Sequence, residues 1–232
     1  MLRSEDIFNE NSLNIFTDAS MRTMPNGEQV GCSGVCVVGG CEILEESYII
    51  NRFSTNNDSE IKAIRNGVFI GKKYKNRFPV IRLFSDSQIS IFGIRDRIFK
   101  WSLYENKFYG SENNPIKNQS VFVEILNEII DNQLPIQFLH QKGHVNYKDQ
   151  KSLMNAINVF KTSNNIRDFI DIQLIKDILY FNNMVDEKSR YILNNPEIYY
   201  GREIQDIGTE PIKFFADYFD RSMYYNLIHH KL

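Results

Sequence analysis

Apolar residues along this chain change their period several times, and the changes divide it into elements. Short apolar or alternating runs at residues 13–19, 34–40 and 47–53 predict three strands, with links short enough for an antiparallel meander. Between the first two, Pro25, Asn26, Gly27, Gly31 and Gly34 predict turns. From Thr55 the spacing becomes helical: Ile61, Ile64 and Val68 recur behind Asn57 as a cap, and Ala63 and Gly67 leave room for close approach to a sheet. Residues 80–85, VIRLFS, predict a central strand covered on both faces, and residues 87–99 a helix striped by Ile91, Ile94 and Ile98. The stretch 104–118, rich in Asn, Gly and aromatic residues, predicts an excursion. After it come a helix at 121–130, a strand at 136–139, and a helix at about 149–160 with Leu153, Ala156, Ile157 and Phe160 inward.

This order predicts one α/β domain over residues 1–163, built on a mixed sheet and preceded by a loosely held arm at 1–12. Residues 164–232 change to a helical, aromatic-rich extension. Ile166, Ile170, Leu174 and Ile178 stripe a helix at about 165–180, a short helix follows at 187–193, and Thr209, Glu210 and Pro211 start another striped by Ile212, Phe215, Phe219 and Met223. Such stripes must be covered, either by the body or by a second subunit or partner protein, so a homodimer is one expectation.

Charge excludes a polycation. The formal net charge is −2, with 19 Lys/Arg against 18 Asp/Glu in residues 1–163 and 8 against 11 in residues 164–232, so any nucleic-acid contact must be a local patch. The densest basic run is GKKYKNR, carrying Lys72, Lys73, Lys75 and Arg77; alone it reads as a solvated turn. Cys32, Cys36 and Cys41, odd in number and lacking a fourth ligand nearby, argue against a zinc knot and for a reducing, cytoplasmic setting. No leader pattern opens the chain, and no apolar stretch reaches membrane-spanning length.

Three carboxylates stand at element junctions: Asp18 in NIFTDAS, Glu60 in STNNDSEIKAI and Asp86 in VIRLFSDSQ. His144 sits in the polar loop HQKGHVNYKDQ. Glu60 has a structural alternative as the capping-box partner of Asn57, and Asp86 another as a helix cap. Yet Asp18 stands at the end of a predicted strand and Asp86 and His144 just beyond two others, where sheets of this class gather their active groups, so the carboxylates suggest a metal site.

With IFTDAS, STNN ahead of a Glu-bearing helix, FSDSQ, and KGH before a final helix, in that order, residues 12–163 resemble the ribonuclease H type 1 family. The resemblance implies a ribonuclease H-like fold, a mixed five-stranded sheet with helices on both faces, here with a C-terminal helical extension. It implies a metal-dependent endoribonuclease that cuts the RNA strand of RNA–DNA hybrids, using two Mg²⁺ ions, with Mn²⁺ an alternative. Asp18, Glu60 and Asp86 then hold metal, and His144 assists water activation or product release. Thr55, Asn56, Asn57, Ser87 and Gln88 meet the hybrid, and Lys72, Lys73, Lys75 and Arg77 supply backbone contacts in place of a basic protrusion that is missing. Relatives carry a fourth carboxylate in the final helix; this chain has Asn155 there, with Asn158 a turn later. On that reading Asn155 is a weak metal ligand that His144 and Asp149 help to offset. Asn155 and the unassigned extension motivate one alternative, a non-catalytic nucleic-acid or protein-binding module; a related nuclease acting on DNA is another.

Overall fold

The computed structural model describes residues 1–104 and 107–195. Five strands form the main sheet: β1 (Ser12–Thr23), β2 (Gln29–Gly39), β3 (Glu42–Arg52), β4 (Val80–Ser85) and β7 (Ile136–His140), in the order β3-β2-β1-β4-β7. β1, β2 and β3 are antiparallel neighbours, while β1–β4 and β4–β7 run parallel, which is the expected mixed sheet. A small hairpin of β5 (Ser102–Tyr104) and β6 (Lys107–Tyr109) fills part of the predicted excursion.

The helices are α1 (Ser4–Ile7), α2 (Asn56–Tyr74), α3 (Gln88–Phe92), α4 (Gln119–Asp131), α5 (Gln150–Ser163) and α6 (Ile172–Asn194). Alternation along β1 explains their division between faces. Leu13 and Ile15 point into a core with Ile61, Ile64 and Val68 of α2 and Ile125 and Ile129 of α4. Phe16 points the other way, into a core with Phe84, Leu153 and Phe160, and with Leu174, Ile178 and Val185 of α6.

Several expectations are revised. Strands β1 to β3 are longer than predicted, because polar ends such as Met21-Arg22-Thr23 find partners in Gly31, Val30 and Gln29. Gly31 and Gly34 are not turn residues; they lie inside β2. A side chain at Gly34 would reach 2.6 Å from Val185 Cγ1, and one at Gly31 would strike Ser59, so the two glycines admit α6 and the start of α2 against the sheet. Gly34→Ala is therefore expected to overpack this contact and cost about 1–3 kcal/mol, measurable by urea unfolding; an unchanged midpoint would reject that account.

The predicted helix at 87–99 is α3 followed by a π turn at Gly93–Arg97 and a 3₁₀ turn at Ile98–Lys100. The amino-terminal arm is docked rather than loose: Leu2 exchanges backbone hydrogen bonds with Phe169 and Asp171, and Ile7 is fully buried. The stripe around Leu174 and Ile178 belongs to α6, which Asp171 caps at its start and which absorbs the predicted short helix at 187–193. Its apolar face is covered by the sheet of its own chain, across the expected boundary at 163. The helix predicted after Thr209 lies outside the described residues.

Candidate active site

Register alone brings two of the carboxylates together. Thr17 pairs with Ser85 across the parallel strands β1 and β4, and Asp18 and Asp86 are the next residue on each. Adjacent strands lie about 4.8 Å apart, so their carboxylates leave the sheet side by side. Glu60 comes from the first turn and a half of α2, whose start is fixed by several bonds. Thr55 caps it by accepting from the Asp58 amide, the buried Ser54 hydroxyl donates to Asp58 Oδ2 at 2.6 Å, and Ser33 of β2 donates to the Ser59 carbonyl at 2.7 Å. Thr55, not Asn57, is the cap, and Glu60 faces inward instead of closing a capping box.

Among the described residues, Asp18, Glu60 and Asp86 each offer an oxygen, and the three oxygens lie within 4.8 Å of one another. Asp18 is 4% exposed and Glu60 7%. Asp18 Oδ1 accepts from the Ala19 amide at 2.7 Å, and Oδ2 accepts from Asn182 Nδ2 of α6 at 3.2 Å. Glu60 Oε2 is buried and has no hydrogen-bond partner among the described residues. A buried carboxylate oxygen without a donor is costly unless a cation meets it. Hard carboxylate oxygens are the donors Mg²⁺ and Mn²⁺ prefer, so the residues fit such an ion.

Burial pushes both Asp18 and Glu60 well above the usual carboxylate range. The like charges of Asp86 and Asp186 push Asp18 further, and those of Asp18, Asp86 and Asp186 do the same to Glu60. Asp86 is also raised, mainly by burial, with His144 opposing the shift. Since the folded state holds these protons more tightly than the unfolded chain, their contribution to stability is fully present below about pH 4, the unfolded value, and is lost as pH rises through the folded values. Metal-free protein should thus lose thermal stability from about pH 4 toward neutrality, and saturating Mg²⁺ should flatten the loss. Melting curves across pH in chelator and in Mg²⁺ would check this; parallel curves would refute it.

Asp186 was not anticipated from the sequence. It projects from α6 into the same cleft of about 540 Å³, which Asp18, Glu60, Asp86, Asn56, His144, Arg22 and Arg190 also line. Ser20 of β1 donates to Asp186 Oδ1 at 3.2 Å, and Arg190 Nη2 pairs with Oδ2 at 2.5 Å. The available signal was the buried stripe of α6, which continues past Ile178 through Asn182, Asp186 and Ser189 at helical spacing. Polar residues on a face that should stay apolar mark something other than packing.

Asn155, by contrast, is exposed on α5 and is not among the side chains lining the cleft. Asp149 is occupied as the cap of α5, accepting from the Lys151 and Ser152 amides. Asp86 does not cap α3, whose cap position is Ser87. His144 is exposed with φ 52°, and the loop is drawn against Asp86 at Gly143, where a Cβ would lie 1.9 Å from Asp86 Oδ2. Asn56 and Asn57 are exposed at the start of α2, and Gln88 is exposed beside Asp86 and His144 in an adjoining pocket.

The basic run is not brought to the cleft. Lys72 is twelve residues along α2 from Glu60, a rise of about 18 Å. Lys72 pairs with Glu128 at 2.7 Å, Lys73 with Glu45 at 2.9 Å, Lys75 donates to the Asn132 carbonyl at 3.0 Å, and Arg77 stacks on Phe78. These contacts tie the far end of α2 to β3 and α4.

The sequence model of the RNase H family matches residues 10–157. The chain belongs to the RNase H family. Asp18, Glu60 and Asp86, the carboxylate cluster that could hold a divalent metal, all lie within the matched segment. α6, and with it Asp186, lies beyond the matched segment. No curated protein matches the chain. Among solved structures, the foamy viral protease-reverse transcriptase in complex with RNA/DNA hybrid is similar at 18% identity and a TM-score of 0.49, over 67% of this chain and 20% of that one. This chain thus spans about one fifth of that protein. The PFV RNase H domain gives 19% identity and 0.48 over 68% and 96% of the two chains. RNase H1 from the halophilic archaeon Halobacterium salinarum NRC-1 gives 16% and 0.43 over 57% and 86%. The fold is the ribonuclease H-like one. Among the described residues no helix is long and apolar enough to cross a membrane.

Proposed function

We propose that this protein is an endonuclease of the type 1 kind, hydrolysing the RNA strand of RNA–DNA hybrids with two divalent ions held by Asp18, Glu60, Asp86 and Asp186. The observation that carries the reading is the meeting of three carboxylate oxygens within 4.8 Å, one of them from Glu60, whose buried Oε2 has no donor among the described residues. Bound there, a pair of Mg²⁺ ions supplies Lewis acidity toward both the attacking and the leaving oxygen of an in-line displacement.

The chain's own groups do the rest. Asn182 fixes the direction of Asp18 by holding one of its oxygens, and the Ala19 amide holds the other. His144, exposed beside Asp86 on a loop pinned by Gly143, is placed to take or deliver a proton at the open side of the cleft. Asn56, Asn57 and Gln88 present amides at the rim, which suits 2′-hydroxyl and base-edge contacts in the shallow groove of a hybrid. Thr55 accepts the helix-cap bond at its hydroxyl oxygen, which leaves the O–H to donate to the hybrid's backbone. Free Cys32, Cys36 and Cys41 support a reducing, cytoplasmic setting. Asp186 supplies the acidic charge whose lack at Asn155 had favoured a non-catalytic module.

The test offers end-labelled hybrid, duplex RNA and duplex DNA while Mg²⁺ and Mn²⁺ are titrated. Internal cuts confined to the RNA of the hybrid are expected. Cutting of duplex DNA would shift the reading to a DNA nuclease, and tight hybrid binding with no cutting in either metal would shift it to a binding module.

A further inference from the structure

Resting on this nuclease reading, we propose that Arg190 has two alternating partners: Asp186 in the metal-free protein, and a phosphate of the bound nucleic acid once metal is present. Arg22 completes a two-arginine clamp on the α6 side of the cleft.

Four carboxylates converge here, and Asp186 has a guanidinium on it. Arg190 stands one helical turn beyond Asp186 and pairs with it at 2.5 Å, with side-chain exposures of 54% for the arginine and 13% for the aspartate. An i,i+4 pair with one half in water is a weak bond, easily given up. Asp186 would be drawn toward divalent cations held among the carboxylates, and their charge would repel the guanidinium beside it. The guanidinium released in this way stays in the wall of the cleft, where a strand must lie for its phosphate to reach the metal-binding oxygens.

Arg22 stands nearby at the exposed end of β1. Among the described residues its Nη1 reaches only neutral acceptors on the last turn of α6, the Leu193 carbonyl at 3.5 Å and Asn194 Oδ1 at 3.4 Å. Those bonds are long, and a phosphate oxygen is a much better partner for a guanidinium. Arg22, Arg190, Leu193 and Asn194 all line the cleft together with the carboxylates. The planar five-donor fork can grip two phosphate oxygens at once, which a lysine cannot do. α6 thus brings both a candidate metal ligand and the group that vacates it, while the basic run on α2 stays engaged elsewhere.

The experiment uses the full chain with Arg190→Ala, Arg190→Lys and Arg22→Ala, each checked for an unchanged melting profile in chelator. Titration with Mn²⁺ alone should show Arg190→Ala binding metal about 2–5-fold more tightly, since a competitor for Asp186 is gone. Hybrid binding is measured by anisotropy across salt, in chelator and in Ca²⁺, whose loose coordination slows in-line displacement. In Ca²⁺, Arg190→Ala should weaken binding and lower the log–log salt slope by about one. In chelator it should change neither. Arg190→Lys should recover the slope but only part of the affinity, and Arg22→Ala should lower the slope by about one in Ca²⁺. Equal losses with and without metal, or an unchanged slope in Ca²⁺, would overturn the exchange. If the wild type bound Mn²⁺ but no hybrid, the nuclease reading would fail, and the clamp with it. A wild type that cuts hybrid while Arg190→Ala keeps its slope would overturn the clamp alone.

Discussion

Asp18→Asn is expected to remove hydrolysis, by about 10³-fold or more, while raising the stability of the metal-free protein. Both halves follow from the same contacts. The Ala19 amide can still donate to the side-chain oxygen at position 18, as it does to Asp18 Oδ1. The new amide nitrogen would face Asn182 Nδ2, an unfavourable pair of donors. Asn182 Oδ1, however, is buried and without a partner among the described residues. A flip of the Asn182 amide therefore restores a complementary bond, and the site accepts the change without rearrangement. What disappears is a buried carboxylate whose own proton affinity is raised by burial, Asp86 and Asp186, and which in turn raises that of Glu60. Cleavage assays with melting in chelator at neutral pH would check the pair of effects. Lost activity together with a lowered melting temperature would mean that the carboxylate holds the fold and not the metal.

Asp186→Asn should lower the rate by about 10²-fold and weaken metal binding by about tenfold or more, whereas Asn155→Asp should change either by less than about twofold, as an exposed charge does. The amide keeps the acceptor that Ser20 uses and loses the charge that a cation needs. Asn155 is exposed on α5 and borders no part of the cleft. Calorimetric Mn²⁺ titrations and single-turnover rates on the two variants would separate the positions. The opposite ranking, with Asn155→Asp activating and Asp186→Asn silent, would return the fourth ligand to α5.

The contrast between these positions shows what a single sequence reveals. Asp18, Glu60 and Asp86 are legible because each is announced locally, by an apolar run that ends or by a helix that begins, and sheet register brings such ends together. Asp186 has no local announcement. Its role depends on α6 lying against β1 and β2, and that contact is permitted by Gly34, whose bare Cα admits Val185 and Ser189. In sequence a glycine inside a strand looks the same as one at a turn, so the residue that makes room for the helix reads as a loop. The basic run fails for a related reason: its composition is visible, but Glu128, Glu45 and the Asn132 carbonyl, which engage it, come from elsewhere in the chain.

The bond between Asn182 and Asp18 spans 164 positions of sequence. A ribosome making this protein will have released the whole five-stranded sheet before the residue that steadies Asp18, and Asp186 just after it, have left the exit tunnel. The nascent chain thus passes through a stage in which the sheet can form but the cleft still lacks one wall. On this arrangement, the cleft is completed in one step, when α6 settles onto the sheet.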